Sequence, residues 1–251
     1  CLGQSVGPLN SFLGKKLTAW VFQKAALVTV RDNQSRQLLE QLGVRIVTVL
    51  ADPAYAIGYD QESFHKKNGY IVLSLREWMK GDQENINQEL VKFIKWLKEE
   101  HNLKTIFIPF QENEQSDLQR YQALAKIMGE TDYFSFRQTA ENHQEAMDII
   151  ARADYVIGMR LHSIIFAVLN KRPFLALSYS TKVKDYVSTL GLDSWINYEE
   201  IDFENLKQKF QEIRGNYEQI EKTLEAKKLH FTYEFFKHEK LLKDLLNGIH
   251  S

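Results

Sequence analysis

Basic and proton-transferring side chains follow the ends of several apolar segments of this chain. The clearest case is Gly158-Met159-Arg160-Leu161-His162-Ser163, which completes and follows the apolar run 155–158. An arginine binds carboxylate or phosphate through its planar guanidinium fork. A histidine at the start of a helix can donate or accept a proton near neutral pH, because the helix dipole disfavours its charged form. The segment therefore predicts a site that binds an anion and moves protons, with Ser163 as a hydroxyl contact or a helix cap.

Similar side chains occur directly after other predicted strands. These positions are Arg31, Arg76, Gln111 and the segment 178–182, which contains Tyr179 and Lys182. The acids in the same positions are Asp32 and Glu77. Ligands of open parallel sheets bind beyond the carboxyl ends of the strands, where the N-termini of the helices collect. We therefore expect one cationic site for a small anionic molecule at this edge.

Each of these residues also has a simple structural interpretation. Arg31 and Arg76 could pair with the acids that follow them in the chain, and Lys182 could lie on a solvated helix surface. A single histidine beside an apolar helix is more often structural than catalytic. The functional interpretation is favoured because independent surface residues have no reason to collect at one edge of a sheet.

Apolar runs and amphipathic segments alternate along the chain and predict an α/β fold. The predicted strands are 27–30, 46–50, 70–75, 105–109, 132–136, 155–158 and 173–177. Their continuous apolar character is typical of a parallel sheet covered on both faces, as in a Rossmann-like domain. The polar segment 59–68 predicts a boundary between a domain at 1–62 and a domain at 63–251. In the tail, apolar residues from 206 to 224 step by three and four, which favours helices packed on a domain over a coiled coil.

Composition excludes several classes of function. The net charge of −1 provides no basic surplus for nucleic-acid binding. The single cysteine, Cys1, excludes an intrachain disulfide and fits a cytoplasmic protein. No Cys/His group offers a zinc site, and the sequence has no P-loop, no G-x-G-x-x-G after a strand and no G-x-S-x-G elbow. The longest apolar run, 161–169, is too short to cross a bilayer.

Short segments spread over most of the chain resemble, in the same order, bacterial polysaccharide pyruvyl transferases of the CsaB type. The segment that resembles the most recognisable motif of the family is 158–163, Gly-Met-Arg-Leu-His-Ser. The others are Gly3-Gln4-Ser5-Val6-Gly7-Pro8-Leu9, Val30-Arg31-Asp32, Leu42-Gly43-Val44, Ala51-Asp52-Pro53-Ala54, Ser74-Leu75-Arg76, Pro109-Phe110-Gln111 and Ser180-Thr181-Lys182-Val183. The resemblance implies a GT-B-like fold of two Rossmann-like parallel-sheet domains, the N-terminal one incomplete in this chain.

The resemblance also implies an activity and roles for the candidate residues. The reaction would move a pyruvyl group from phosphoenolpyruvate to a sugar of a cell-wall or exopolysaccharide precursor, with formation of a ketal and no cofactor or metal. His162 would serve as general acid or base, Arg31 and Arg160 would hold the carboxylate or phosphate, and Lys182 would stabilise the departing phosphate. The further candidates for substrate contacts are Arg76, Gln111, Tyr179, Ser163, Gly3 and Gln4.

Two other functions stay open at this level. A GT-B glycosyltransferase that uses a nucleotide-sugar could hold a diphosphate at the same basic strand ends, with Glu199 or Glu200 as a candidate ribose-binding acid. A non-catalytic binding subunit of a surface-polymer assembly is the third interpretation. If the acceptor is a lipid-linked saccharide, as the resemblance allows, the protein would work at the inner face of the membrane without a span of its own.

Overall fold

The computed structural model describes residues 2–57, 68–77, 82–111, 117–138 and 142–249. The chain forms two compact units, and each has its own core. The first unit joins Cys1–Gly58 to Lys228–Ser251, and the second is Tyr59–Lys227. The domain boundary predicted near residue 62 lies outside the described residues. The whole helical tail was predicted to belong to the second domain, whereas its end, Lys228–Ser251, belongs to the first unit.

The second unit is built on a parallel sheet that has six strands among the described residues. The strands are β3 (Tyr70–Ser74), β4 (Lys104–Phe107), β5 (Phe134–Phe136), β6 (Tyr155–Gly158), β7 (Phe174–Ser178) and β8 (Trp195–Asn197). Their order across the sheet is β5-β4-β3-β6-β7-β8. The chain thus builds outward from β3 to β5, returns to the other side of β3, and builds outward again. This is the strand order of a Rossmann fold, with its switch point between β3 and β6.

Helices connect the strands of the second unit and cover the sheet. They are α3 (Gln83–His101), α4 (Asp117–Met128), α5 (His143–Ala151), α6 (Leu161–Leu169), α7 (Thr181–Thr189), α8 (Phe203–Gly215) and the first part of α9 (Tyr217–Ile249). In α3, the apolar side chains Leu90, Ile94 and Leu97 are buried at helical spacing. The Asp82 carboxylate accepts from the Asn85 N–H to begin this helix, and Asn102 ends it in the left-handed conformation.

Helix α6 lies in the interior, and its start determines which residue can end β6. All its residues from Ser163 to Leu169 are buried. The Ser163 hydroxyl donates to the Arg160 carbonyl at 2.6 Å. A Cβ at Gly158 would lie 2.2 Å from Ser163 Oγ. Glycine is therefore required at the end of β6, because the turn into α6 brings the serine side chain against the backbone.

The predicted apolar stripe in the tail packs against the second unit. Leu206, Phe210 and Ile213 of α8 are buried, as are Ile220 and Leu224 of α9. The Phe210 ring lies 4.8 Å from Tyr155 and 5.9 Å from Phe93, measured between centroids. The interpretation of this stripe as a packing face, and not as a coiled-coil seam, is confirmed for these residues.

The first unit has a small parallel sheet of β1 (Thr29–Val30) and β2 (Thr48–Val49), with Gln4 bridged in parallel to Val30. Its helices are α1 (Phe12–Gln23), α2 (Asn33–Gln41) and the second part of α9, with a short 3-10 turn at Pro53–Ala56. The core packs Phe22, Val30, Leu39 and Val47 together with Val28 and Val44.

Buried His238 on α9 connects the end of the chain to the small sheet of the first unit. Its Nε2 lies 3.1 Å from the Ala51 carbonyl and therefore carries the proton, since a carbonyl can only accept. Its Nδ1 lies 3.0 Å from the Thr29 hydroxyl. The oxygen of this hydroxyl accepts from the Gly3 N–H at 2.8 Å. This chain of hydrogen bonds explains why residues after Lys228 group with the first unit.

Candidate functional site

The strand order of the second unit places the predicted site residues on three adjacent strands. Arg76 follows β3, Arg160 and His162 follow β6, and Tyr179 and Lys182 follow β7. Strand β6 pairs with β3 on one side and with β7 on the other. Because all three strands are parallel, these residues lie at the carboxyl edge of the sheet beside the switch point, where open α/β sheets bind ligands.

Arg160 is held by a buried carboxylate that the sequence analysis did not include in the site. Its Nε lies 3.2 Å from both Asp117 oxygens, and its Nη2 lies 2.5 Å from Oδ1. Asp117 is fully buried and the Arg160 side chain is 15% exposed. Asp117 does not directly follow a predicted strand, as Asp32 and Glu77 do, yet it is the acid that contacts Arg160.

Asp117 also joins the end of β4 to the site. Its Oδ2 accepts from the Phe110 N–H at 2.9 Å, and its own N–H donates to the Gln111 carbonyl at 3.3 Å. The Phe110 ring lies 5.7 Å from Phe166 of α6. Gln111 is half-buried in the segment that follows β4. Strand β4 is the neighbour of β3 in the sheet, so Gln111 follows a strand adjacent to β3.

Arg76 and Tyr179 form a contact across the switch point. The Arg76 Nη1 donates to the Tyr179 hydroxyl at 3.0 Å, and the guanidinium carbon lies 4.9 Å from the ring centroid. The Arg76 Nε donates to the Glu77 backbone carbonyl at 3.3 Å. Arg76 thus reaches from the end of β3 to the end of β7, and both side chains are half-buried at this edge.

Two of the helices that begin at this edge, α6 and α7, have N-termini without a side-chain cap. Neither Arg160, at the start of α6, nor Ser180, at the start of α7, makes a capping hydrogen bond with its side chain. In contrast, Asp82, Asn142 and Asp202 cap α3, α5 and α8. Uncapped helix N-termini direct backbone N–H groups and a positive dipole end toward an anion. The uncapped pair follows β6 and β7, the strands that precede Arg160, His162 and Lys182.

His162 and Ser163 are neighbours on α6 but occupy different environments. His162 is exposed, and its ring centroid lies 6.5 Å from that of Phe166. Ser163 is fully buried with its hydroxyl on the Arg160 carbonyl. Ser163 thus shapes the turn that presents Arg160 and His162, and it does not cap the helix N-terminus as a capping side chain would.

The candidate residues of the first unit surround the ends of β1 and β2. Arg31 donates through Nη1 to the Asp52 carboxylate, which is buried. Asp32 instead caps α2 by accepting from the Ser35 N–H, so it is not the acid that pairs with Arg31. Gly3 is buried with a φ of +60°, and a Cβ there would lie 2.5 Å from the Pro53 ring.

The sequence carries no clear signal for Asp52 and Asp117 as partners of arginines. Asp52 precedes a proline and Asp117 begins a helix, and both positions commonly hold an aspartate for local reasons. Within the described ranges, no three His, Cys, Asp or Glu side chains are grouped to hold a metal ion. The helices that the structure describes include none long and apolar enough to cross a membrane.

The fold is that of α/β proteins of the GT-B-like class. A structure of the accessory secretory proteins 1, 2 and 3 of Streptococcus pneumoniae has a TM-score of 0.56 at 16% identity over 93% of this chain and 46% of that one. A complex of MnaA from S. aureus with UDP has a TM-score of 0.56 at 18% identity over 81% and 56%. A putative UDP-N-acetylglucosamine 2-epimerase from Listeria monocytogenes has a TM-score of 0.57 at 14% identity over 80% and 54%. The chain thus spans about half the length of these structures, and the likeness shows the fold alone.

The family is shown by the sequence. The model of the polysaccharide pyruvyl transferase family matches residues 1–181. The chain belongs to this family, as its resemblance to the CsaB type implied, and it is therefore a member of a transferase family. A comparison with curated proteins finds no significant match.

Proposed function

We propose that this protein transfers a pyruvyl group from phosphoenolpyruvate to a sugar of a cell-wall or exopolysaccharide precursor. The observation that supports this most is the arrangement at the carboxyl edge of the second unit. Arg76, Arg160 and Lys182 follow adjacent strands there, beside two uncapped helix N-termini and the exposed His162. This combination suits a small ligand with two anionic groups and a reaction that needs a proton.

The donor chemistry fits these groups. Phosphoenolpyruvate carries a carboxylate and a phosphate close together, and arginines and helix N-termini bind such groups. We assign Arg76 and Arg160 to the anionic groups of the donor and Lys182, in the first turn of α7, to the phosphate as it leaves. Gln111 and Tyr179 remain candidates for substrate contacts at this edge.

Proton transfer is assigned to His162. The methylene carbon of the donor takes up a proton, so that the adjacent carbon becomes oxocarbenium-like. One sugar hydroxyl adds to this carbon, and the bond between the carbon and the phosphate oxygen then breaks. A second sugar hydroxyl adds to the same carbon and closes the ketal. The two hydroxyls lose two protons, of which one balances the proton on carbon and the other leaves with inorganic phosphate. A single imidazole at the reacting carbon can deliver and receive these protons in turn, and the sequence of steps uses no redox cofactor.

The first experiment replaces His162 by alanine in the full-length protein and measures phosphate release from phosphoenolpyruvate in the presence of acceptor. We expect kcat to fall by about 100-fold or more, the usual effect of losing a general acid or base. His143→Ala is the matched control, because His143 is also an exposed residue in the first turn of a nine-residue helix. Turnover of His162→Ala near that of the control would refute the assignment.

The second experiment tests the donor. Phosphoenolpyruvate is expected to raise the melting temperature of the protein, and UDP-N-acetylglucosamine is not. The opposite result would favour a glycosyltransferase that uses a nucleotide-sugar.

A lipid-linked acceptor would bring the reaction to the inner face of the membrane. Sedimentation of the protein with acceptor-loaded vesicles can test whether the protein binds such a surface.

A further inference from the structure

We infer that Asp117 is a positioning residue that holds the Arg160 guanidinium in the orientation in which it meets the donor. The inference rests on the proposed function for the identity of the donor. The contact itself stands on the geometry of the second unit. Asp117 is fully buried, so it acts on the ligand through Arg160 and not by touching it.

The hydrogen bonds fix one edge of the guanidinium. Nη2 of Arg160 donates to Asp117 Oδ1, and Nε, which lies 3.2 Å from both oxygens, donates to Oδ2, so the two groups pair side-on with the carboxylate. The Nη1 group lies on the opposite side of the planar fork. Arg160 can therefore meet an anion through Nη1 and the second Nη2 hydrogen only, in an orientation that the carboxylate determines.

Further contacts hold Asp117 and the helix that it begins. It is the first residue of α4, where the helix dipole favours a carboxylate, and it accepts from the Phe110 N–H. One turn later Arg120, also buried, donates to Gln83 at 2.8 Å and to the Tyr198 hydroxyl at 2.9 Å. Burial raises the pKa of Tyr198, so this hydroxyl stays protonated and donates in turn to Gln83. The start of α4 is thus fixed independently of Arg160.

The pairing also changes what Arg160 contributes to an anion site. The Asp117 charge balances the charge of Arg160, so a bound donor does not meet a surplus cation there. Attraction of the donor then depends on Arg76, Lys182 and the helix N-termini, whereas Arg160 contributes directed hydrogen bonds. Loss of Asp117 should therefore reduce turnover, which requires orientation, and leave donor affinity nearly unchanged or stronger.

Asp117→Asn tests this in the full-length protein. We expect kcat to fall by about 10- to 100-fold, because misplaced contacts of this kind cost up to about that factor, with the KM for phosphoenolpyruvate unchanged or lower. Asp154→Asn is the matched control. Asp154 is another buried carboxylate, which accepts from Asn68 and Gly69 N–H groups at the amino end of the same sheet. Asp154→Asn should lower the melting temperature, but it should not lower kcat while the KM stays unchanged.

A double-variant cycle covers the case in which Asp117→Asn folds poorly. Replacing both partners removes both buried charges and costs less stability than removing one. If Asp117 acts only through Arg160, Asp117→Asn with Arg160→Gln should have the same kcat as Arg160→Gln alone. A further loss of kcat in the double variant, or a raised KM in Asp117→Asn, would overturn the inference.

A readout without turnover separates this inference from the proposed function. In ¹⁵N-labelled protein, the Arg160 Nε–H signal, assigned by its loss in Arg160→Gln, should exchange slowly with solvent. In Asp117→Asn it should exchange at least about tenfold faster, as in exposed arginines, since the strong acceptor is gone. Slow exchange in both proteins would contradict the positioning role. If the exchange rates of wild type and Asp117→Asn differ as expected, but wild-type protein does not use phosphoenolpyruvate, the result would contradict the donor assignment instead.

Discussion

At the scale of single residues, the site depends on contacts that decide what each side chain can do. Arg160 and His162 were predicted from residue type and from their place after a strand. In the structure, the Ser163 hydroxyl donates to the Arg160 carbonyl. Asp117 fixes the orientation of the Arg160 guanidinium. Residue type and strand ends are visible in a sequence, because they follow from local pattern. The acid that turns toward a given arginine depends on packing between distant segments, so Asp117 was not predictable.

Gly158 gives a stability prediction at this scale. In Gly158→Ala the new methyl would meet Ser163 Oγ at 2.2 Å and Ile164 Cδ1 at 2.8 Å, and both of these neighbours are fully buried. We expect the free energy of unfolding to fall by about 1–3 kcal/mol, as for overpacked cores, measured by urea titration. Ser163→Ala in the same chain should recover part of this loss because it removes the closer atom.

Gly215→Ala is the control for the glycine substitution. Gly215 ends α8, and nothing lies within 4 Å of a Cβ built there. The added methyl should leave the stability unchanged or raise it by up to about 1 kcal/mol, the helix preference for alanine. A Gly158→Ala protein as stable as Gly215→Ala would mean that the turn into α6 can relax.

At the scale of helices and strands, the alternation of the chain predicted most of the second unit correctly. Strands β3, β6 and β7 lie within one residue of their predicted positions, and β4 ends two residues before its predicted end. Strand β8 was missed, because Trp195–Asn197 is a three-residue edge strand with too short an apolar pattern. The start of helix α1 was not predicted, because its exposed apolar residues, such as Phe12 and Leu13, obscure the amphipathic pattern.

The packing of α3 against α8 gives a prediction about pH. His101, the last residue of α3, has its ring 4.6 Å from that of Trp96 and 5.7 Å from that of Phe210. Burial, with help from the charge of Arg214, lowers the pKa of His101. The unfolded chain therefore takes up a proton at higher pH than the folded one, and stability falls as the pH drops below the ordinary histidine value of about 6.5.

The measurement is the melting temperature between pH 7.5 and 5.5. His101→Gln should reduce the slope of this curve, because the group that binds the extra proton on unfolding is gone. His143→Gln should keep the wild-type slope, since His143 is exposed when folded. Equal slopes in all three proteins would show that the packing of His101 does not oppose its protonation.

At the scale of the whole molecule, the two ends of the chain build the first unit together. The Gly3 N–H, the Thr29 hydroxyl, His238 and the Ala51 carbonyl form one chain of hydrogen bonds. Nothing in the sequence indicated that residue 238 belongs with residue 29, because a helical tail carries no signal of where its far end packs. Strand order and the pairing of distant segments are the features that local pattern does not encode.

Thr29→Val tests this connection. Valine has nearly the same shape as threonine but leaves the Gly3 N–H and the His238 Nδ1 without their partner. We expect a loss of about 1–3 kcal/mol, the usual cost of a buried unsatisfied group, and faster amide hydrogen exchange around His238 on α9. Thr48→Val is the control, because Thr48 is the half-buried register partner of Thr29 in β2. Equal effects of the two substitutions would argue against a special role for the hydroxyl.

The pairing of β3 with β6 also has a consequence for how this protein is made. Ile71 lies beside Tyr155, so Arg76 acquires its neighbours on β6 and β7 only after a long stretch of chain has followed it. During synthesis the strands β3, β4 and β5 of this unit emerge before β6 and β7, and the candidate anion site is not yet assembled. Such distant pairings form late in folding. A ligand stabilises only the form that binds it. The donor would therefore stabilise only the fully folded domain, and donor binding would indicate that folding is complete.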